Sequence, residues 1–479
     1  MRRKVTLFFV FLLSINLFSQ ENNKSIFLNS QAQVKDYFIA AGEMIMVDLL
    51  VYDFNNLFLS SKPIQTSFSV FKQNLSSPWI FDNSSFKRNQ LFHPYFGALY
   101  FLSGRSNNLN FTESFLLSTM GSFLWEAYLE GPVSSLNDFI TTPTAGAITG
   151  EILHRLSFSI YDYSPFLSWV LSPVDGINQL LRNSRAITPR GKIYSFSTSI
   201  LSGFSIYDAT YDSLLTPGLG AALNVIYNNP YGHASKELYD QFTLDLYYSF
   251  WPENQLFKMN MDGLLYSIPI YPTEKALSNI AVSFDYDVLY GSNITLSNSS
   301  LGLCLMQSFG DKEKNQVNYC VQTDFVYLST SDIFYLLKNN NTNYEKPFKQ
   351  APYTYKYGPE IKFSFEFFNS LFGNLSFKCA SEYLFTYKNS TNDEELKTDL
   401  LIFNADASYE HKIFNNYYGG IRNLFILKNE YRNSIQINRN IINNTDLYIK
   451  ILYWYILFYY RIIQFFPCPK VKYRVKFTE

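Results

Sequence analysis

The chain has 479 residues with 39 basic and 40 acidic side chains, which gives a formal net charge of −1. This balance excludes the basic surface that nucleic-acid binding requires. Hydrophobic residues form 47% of the chain and aromatic residues 18%, yet the mean hydropathy is −0.08. Apolar and polar residues are therefore interleaved, and four cysteines are too few for a disulfide scaffold in a chain of this length.

The first residues predict export. Basic residues at positions 2–4 precede an unbroken apolar run over 7–13, and the small residue Ser19 follows. A basic start, a short apolar stretch and a small residue at the exit are typical of a secretory signal peptide. We expect residues 1–19 to be such a peptide, cleaved on export, because the apolar run is too short to span a bilayer.

The first part of the mature chain shows helical periodicity. Apolar positions recur at helical spacing over 33–59, a polar loop is expected over 79–90, and a helix is expected to begin near Pro94. We assign residues 20–78 to an N-terminal helix and linker, and residues 79–190 to a helical domain.

Segment 111–130 is the most informative predicted helix. Every fourth residue is polar on an otherwise apolar cylinder, so these side chains form one narrow seam. The seam consists of Ser114, Ser118, Ser122, Glu126 and Glu130. Gly131 and Pro132 are expected to end the helix.

The next predicted helix begins at Thr142, an N-cap residue followed by Pro143 at the first helical position. Gly146 and Gly150 lie four apart and leave a groove in which another helix can approach closely. The helix ends with three ionisable residues, Glu151, His154 and Arg155. A further short apolar helix is expected over 165–181.

Glu126 and Glu130 lie one helical turn apart in apolar surroundings, so they repel each other if both are ionised. A shared proton, an arginine such as Arg88 or Arg105, or a metal ion could neutralise them. The first interpretation is a structural ion-pair network between helices. The second is a general base whose pKa is raised by burial.

The metal interpretation rests on Glu151 and His154, whose spacing is that of di-iron helix bundles. Such bundles need two of these motifs and two further glutamates, and only one motif is present. Glu151 can instead pair with Arg155 four residues later. We therefore predict no metal and no cofactor, and no serine-hydrolase, zinc-protease, phosphate-loop or dinucleotide motif occurs.

These considerations define one predicted polar cluster. Its members are Asn89, His93, Arg105, Ser122, Glu126, Glu130, Asp138, Glu151 and His154. The candidates for a catalytic role within it are Glu126, Glu130, His93, His154 and Asp138.

From Gly191 onward, polar and apolar residues alternate with the period of a β-strand. Eleven strands are expected, at 193–201, 219–227, 241–251, 257–265, 279–290, 301–309, 317–325, 361–367, 375–385, 401–409 and 471–477. A twelfth is expected near 417–425. Segment 446–469 shows no clean alternation, and we interpret it as a strand that is apolar on both faces.

These strands predict a transmembrane β-barrel over residues 191–479. They have the length that a tilted membrane strand needs, aromatic residues on one face and charged residues in mid-strand on the other. The alternative is a secreted β-sandwich, in which each apolar face is buried against a second sheet. The predicted fold class is α+β, with a helical domain followed by an antiparallel barrel of about 12 strands.

The strand pattern also predicts how two cysteines on adjacent strands are placed. If Leu305 pairs with Tyr319, then Cys304 stands opposite Cys320 on the polar face, and an exported protein could oxidise the pair. Two free thiols are the alternative.

Residues 79–182 contain an ordered series of motifs, namely Trp79-x-Phe81-Asp82, Asn89-Gln90-x-x-His93-Pro94-Tyr95-x-Gly97, Arg105, Ser114, Ser122-x-x-Trp125-Glu126, Glu130, Asp138, Thr142-Pro143-x-x-Gly146 and Gly150-Glu151. This series resembles an uncharacterised bacterial envelope family, the domain of unknown function 3943. The resemblance implies a bacterial envelope setting and supplies neither a reaction nor a substrate.

The predicted function is that of an outer-membrane barrel whose helical domain plugs the lumen or caps its mouth, in a structural or gated-passage role. The expected partners are outer-membrane lipid and a small solute or lipid in the barrel. An envelope hydrolase acting on lipid or glycolipid through the polar cluster is the alternative. A third class, a surface adhesin, would place function in the loops near Asn339 and Asn389.

Overall fold

The computed structural model describes residues 35–59, 66–182, 186, 189 and 191–453, with gaps at 83, 132, 210–211, 232–233, 251–254, 271–275, 292–293, 312–313, 333–352 and 390–396. The predicted signal peptide and the predicted strand 471–477 lie outside the described residues.

Seven α-helices precede the strands in the described part of the chain. Their bounds are Tyr37–Phe54 (α1), Phe68–Ser76 (α2), His93–Arg105 (α3), Phe111–Leu124 (α4), Leu136–Ile160 (α5), Pro165–Leu171 (α6) and Pro173–Arg182 (α7). Three π-helical turns adjoin them, at Asn55–Leu59, Arg88–Phe92 and Trp125–Leu129. Among the described residues, no helix combines the length and the apolar composition needed to cross a membrane.

Helix α5 begins earlier than expected. The hydroxyl of Ser135 accepts a hydrogen bond from the backbone N–H of Asp138 and caps the helix. The prediction that Thr142 is the N-cap was therefore wrong. Pro143 lies inside α5, where it removes one backbone hydrogen bond without ending the helix.

Twelve antiparallel strands close into one barrel, in which each strand pairs with its neighbours in the chain and β12 pairs with β1. The strands are Ile193–Ala209 (β1), Asp212–Tyr227 (β2), Gln241–Phe250 (β3), Leu256–Pro269 (β4), Ala276–Gly291 (β5), Thr295–Asp311 (β6), Asn315–Asp332 (β7), Tyr353–Asn369 (β8), Gly373–Asn389 (β9), Asp399–Phe414 (β10), Tyr417–Arg432 (β11) and Ile435–Tyr453 (β12). The predicted fold class is confirmed, and closure excludes the β-sandwich.

Strand β12 is not among the strands that the alternation predicted. It occupies Ile435–Tyr453 and joins β11 to β1. Asparagines interrupt its apolar positions, so its period of two is difficult to read in the sequence. The described part of the irregular segment 446–469 belongs to this strand, with Leu447 and Ile449 exposed and Asp446 buried.

Side chains alternate between the lumen and the outer surface along each strand. In β5, Asp285 and Asp287 line the lumen, whereas Ile280, Phe284 and Tyr286 lie on the opposite, outer face. Where nothing covers it, the outer face consists of large exposed apolar residues, including Ile200, Phe204, Leu303, Ile361 and Leu447.

The helical domain packs on the outer face of the barrel wall through α5 and the π-helical turn Arg88–Phe92. Helix α5 lies against β4, β5 and β6. The hydroxyl of Thr149 is 3.8 Å from the sulfur of Met261, which faces outward because its neighbour Asn260 lines the lumen. The hydroxyl of Tyr286, also on the outer face, donates to the backbone carbonyl of Gln90 at 2.8 Å.

This position corrects the prediction that the helices sit in the lumen or over its mouth. The described lining of the lumen consists of strand residues and of Asn229, Pro230 and Tyr231, which lie in the loop between β2 and β3. Side chains of the strands and of this loop, rather than helices, surround the described lumen. Apolar outer-face residues of β2 to β5, such as Val225, Phe242 and Phe284, instead form a core with Ile148 and Ile152 of α5.

The predicted register of the cysteine pair was also wrong. Leu305 pairs with Val321, so Cys304 stands opposite Gln322, and Cys320 lies diagonally from Cys304 on the lumen face. Both cysteines are free thiols in the structure.

Candidate functional site

The structure divides the predicted polar cluster into two groups. One, here called the carboxylate cluster, contains His93, Glu126, Glu130 and Asp138, with Asn89 beside it. The other, here called the arginine cluster, contains Arg105, Glu151, Arg155, His154 and Asp175. Ser122 is buried, and its hydroxyl has no hydrogen-bond partner among the described residues.

Three separate elements position the carboxylate cluster. His93 is the first residue of α3 and follows the π-helical turn Arg88–Phe92. Glu126 lies in the π-helical turn Trp125–Leu129, which continues α4, and Asp138 lies in the first turn of α5. A π-helical turn inserts one extra residue, and such turns are frequent at functional sites.

Three side chains of the cluster are each held through one polar atom. Oε2 of Glu126 accepts the backbone N–H of Ser135 at 2.7 Å, and Oδ1 of Asp138 accepts from the Asn137 amide at 2.9 Å. Nδ1 of His93 is 3.2 Å from the hydroxyl of Thr142.

The remaining atoms of the cluster face one another. Nε2 of His93 lies 3.9 Å from Oδ2 of Asp138. Oε1 of Glu126, Oε2 of Glu130 and Oδ2 of Asp138 are buried and have no hydrogen-bond partner among the described residues. One ligand atom each from His93, Glu126 and Asp138 lies within 4.8 Å of the others.

Burial dominates the protonation of the cluster. It raises the pKa of Glu126 and of Asp138 well above the ordinary carboxyl range, and neighbouring carboxylates add to both shifts. Burial also raises the pKa of Glu130 and lowers that of His93. In the absence of a cation, the site therefore favours neutral carboxylic acids and a neutral imidazole.

The carboxylate cluster lies where the helical domain meets the barrel wall. The amide of Asn89 donates to Asp82 and, at 2.8 Å, to the hydroxyl of Tyr353 on β8. The hydroxyl of Tyr355, on the same outer face, donates to the backbone carbonyl of Asp82 at 2.8 Å. Outer-wall tyrosines thus fix the segment that leads into His93.

The arginine cluster is a closed ion-pair network. Oε1 of Glu151 accepts from Arg155 at 2.7 Å, the pairing that its spacing predicted, and from Nη2 of Arg105 at 3.2 Å. Burial alone would raise the pKa of Glu151, but the two guanidinium groups hold it below the usual value. His154 instead lies 3.5 Å from Asp175. Glu151 and His154 therefore have separate partners.

A second polar site, which the sequence did not single out, lies in the lumen. Lys362 on β8 reaches across to Asp262, Asp285 and Asp287, at 3.2, 3.1 and 2.9 Å. The alternation placed these residues on polar strand faces, but only barrel closure shows that they meet.

The lumen holds a chamber of about 410 Å³. Nine carboxylates and five cationic side chains line it, so acidic groups are in excess. The carboxylates are Asp245, Asp262, Asp285, Asp287, Glu360, Glu366, Glu382, Asp406 and Glu410, and the cations are Lys258, Lys362, Lys378, Arg422 and Lys450.

An apolar cluster lies in the lumen near one end. Lumen-facing leucines of several strands meet there, among them Leu256, Leu289, Leu296 and Leu400. Leu256 and Leu296 are the first and second residues of their strands, which places the cluster at the end opposite the start of β1. We call these four leucines the apolar gate.

Comparison with known families identifies the helical segment that carries the carboxylate cluster. Residues 78–172 match the Domain of unknown function (DUF3943). The match confirms the resemblance expected from the motifs between Trp79 and Glu151. A comparison with curated proteins found no match.

Solved structures similar to the chain include outer-membrane channels. An outer-membrane channel from Pseudomonas putida F1 is 9% identical, with a TM-score of 0.27, and the match covers 56% of this chain and 97% of that one. The CymD monoaromatic hydrocarbon channel is 8% identical, with a TM-score of 0.23 and coverage of 54% and 88%. The KdgM porin is 10% identical, with a TM-score of 0.20 and coverage of 53% and 98%.

Proposed function

We propose that this protein is a bacterial outer-membrane barrel that passes a small polar solute through its lumen under the control of the apolar gate. The observation that carries the proposal is the charged chamber of about 410 Å³ beside a cluster of lumen-facing leucines. Residues 1–19 would direct export as a cleaved signal peptide, residues 79–190 would form the helical domain, and residues 191–479 would contain the barrel.

The outer face of the barrel supports a membrane setting. Where no helix covers it, this face exposes apolar side chains such as Ile200, Leu303 and Leu447. A contiguous apolar belt of this kind is unfavourable in water and favourable against hydrocarbon. Outer-membrane lipid is therefore the proposed surrounding of the barrel.

The chamber lining supports a preference among solutes. Charged rings in a narrow pore select ions of opposite sign, and carboxylates outnumber cationic groups here. Lys362 neutralises part of this excess in the middle of the acidic patch. The proposed solute is small, polar, and neutral or cationic.

The apolar gate supports control of passage, because an apolar constriction excludes water and ions until it opens. Truncating Leu289 and Leu296 to alanine together should raise the conductance severalfold in planar bilayers. The matched control is the double alanine variant of Leu301 and Leu303, which are 44% and 59% exposed on the outer face. If the gate variant conducts no better than this control, the passage proposal fails.

The alternative, a lipid- or glycolipid-directed hydrolase, rests on the unpartnered carboxylates of the carboxylate cluster. Burial opposes it, because His93, Glu126 and Asp138 are at most 5% exposed and a substrate cannot reach them without a rearrangement. A change in envelope lipids on Glu126→Gln and Glu130→Gln substitution, with the barrel still folded, would favour the hydrolase. Loss of the folded barrel would favour a structural role.

A further inference from the structure

We propose that the carboxylate cluster binds one divalent transition-metal ion, with His93, Glu126 and Asp138 as ligands and Glu130 beside them. The three ligands come from α3, the π-helical turn after α4, and α5. Their ligand atoms lie within 4.8 Å of one another, and all three side chains are buried. This site is separate from the lumen and from the proposed passage.

The unused atoms of these side chains point into the cluster. Oε2 of Glu126 and Oδ1 of Asp138 are already occupied by Ser135 and Asn137, which leaves Oε1 and Oδ2 without partners among the described residues. Buried polar atoms are normally paired, so unpaired oxygens at one point indicate a metal ion or a shared proton, and Glu126 and Glu130 are close enough to share one.

His93 is oriented as a metal ligand would be. If Nδ1 donates its hydrogen to Thr142, Nε2 carries a lone pair directed toward Oδ2 of Asp138, 3.9 Å away. Metal-binding histidines are commonly fixed in this way through their second ring nitrogen. Two acceptors that face each other repel unless a cation or a proton lies between them.

No arginine side chain takes the place of the cation among the described residues. Arg105, one of the two arginines that the sequence offered, is bound to Glu151 in the arginine cluster. The side chain of the other, Arg88, is exposed. A small ion can enter where a guanidinium group does not.

The ligand set favours a transition metal over magnesium or calcium. One imidazole nitrogen with two or three carboxylate oxygens suits Zn²⁺, Mn²⁺ or Fe²⁺, whereas Mg²⁺ and Ca²⁺ prefer oxygen alone. Metal–ligand bonds of about 2.0–2.2 Å require the ligand atoms to approach one another by about 1 Å. Side-chain rotation can provide this movement.

The metal would join three helical elements where they meet the wall. His93 follows the segment held by Tyr353 and Tyr355. Glu126 belongs to the π-helical turn after α4, and Asp138 belongs to α5. The predicted role of the metal is therefore to hold the helical domain together at its attachment to β8.

The test uses the full chain in detergent, freed of metal by a chelator and titrated with Zn²⁺. The expected result is about one bound ion per chain, with a rise in the temperature at which helical circular dichroism is lost. His93→Gln and Asp138→Asn should bind less than about a tenth of an equivalent, because each removes one ligand.

The matched control is Asp175→Asn, since Asp175 is also a buried carboxylate beside a histidine, His154. It should retain about one equivalent of zinc. Heat-modifiable gel migration shows whether each variant contains a folded barrel. Where a ligand variant does not fold, Thr142→Val keeps every ligand and should weaken zinc binding about 10–100-fold.

Two results would overturn the proposal. One is wild-type protein that binds no zinc and gains no stability from it, which would assign the cluster to shared protons. The other is equal zinc content in the wild type and the ligand variants, which would show adventitious binding.

Discussion

Buried carboxylates are neutralised in different ways in this molecule. Glu151 lies between two arginines, whereas Asp48 on α1 accepts only the hydroxyl of Tyr100 and leaves its second oxygen without a partner among the described residues. The first arrangement keeps the carboxylate charged, and the second favours a proton.

Asp48 should make the packing of α1 against the helical domain less stable as the pH rises. Burial raises its pKa to about 7, with partial opposition from the Tyr100 hydroxyl, against an ordinary value of 3.8. The unfolded chain then loses this proton at lower pH than the folded one, so stability is full below about pH 4 and declines up to about pH 7. A difference of about three between the folded and unfolded pKa values of Asp48 lowers the free energy of unfolding by up to about 4 kcal/mol.

The measurement is the thermal midpoint of the helical circular dichroism between pH 4 and pH 8, for the wild type and Asp48→Asn. Asparagine does not ionise, so the variant should match the wild type at pH 4 and exceed it at pH 8. Parallel pH profiles for the two proteins would contradict the assignment.

At the scale of elements, α3 and α5 cross at two glycines. A Cβ atom on Gly97 would lie 1.8 Å from the carbonyl oxygen of Thr142, and one on Gly146 would lie 2.5 Å from the backbone of Gly97. The small-residue groove expected at Gly146 and Gly150 is therefore occupied by α3, with Phe101 against Gly150.

Gly146→Ala should separate these helices and destabilise the domain by about 1–3 kcal/mol, as overpacking does. The control is Gly42→Ala in α1, where an added Cβ meets nothing within 4 Å. That change should be neutral or stabilise by up to about 1 kcal/mol through helix propensity. Thermal unfolding in one detergent gives the comparison, and equal midpoints for the two variants would contradict the close crossing.

Periodicity in the sequence was sufficient to predict elements that bury one regular apolar face. It located strands such as β3 and β5, because each has a regular apolar face. It also located the buried part of the polar seam, from Ser114 to Glu126. It missed β12, where asparagines break the alternation, and misplaced the start of α5, where Ser135 caps a helix that tolerates Pro143. The cluster of His93, Glu126 and Asp138 depends on how three elements meet, which no local pattern contains.

At the scale of the whole molecule, the position of the helices could not be read from the sequence. An apolar strand face looks the same whether lipid or a helix covers it. Met261 and Tyr286 are nearly fully buried on the outer face, whereas Leu303 and Ile361 on the same face are exposed. The difference arises from the helical domain, which covers part of the circumference.

A pair of introduced cysteines would test this arrangement. Thr149→Cys with Met261→Cys should form a disulfide on mild oxidation, because the two native side chains are in contact. Thr149→Cys with Asn260→Cys should not, because Asn260 points into the lumen. Gel mobility after limited proteolysis reports the link in a background without the native cysteines. Preferential linkage to position 260 would place the helix inside the barrel instead.

The polar part of the covered wall has a consequence for biogenesis. Gln90 bonds to Ser297, Thr330 and Tyr286 on neighbouring strands, and these hydroxyls would face hydrocarbon if the helices were elsewhere. The nascent barrel therefore cannot be released into the bilayer as a bare cylinder without an energetic penalty. Docking of the helical domain during insertion would avoid this penalty, because Gln90 would then already cover these hydroxyl groups.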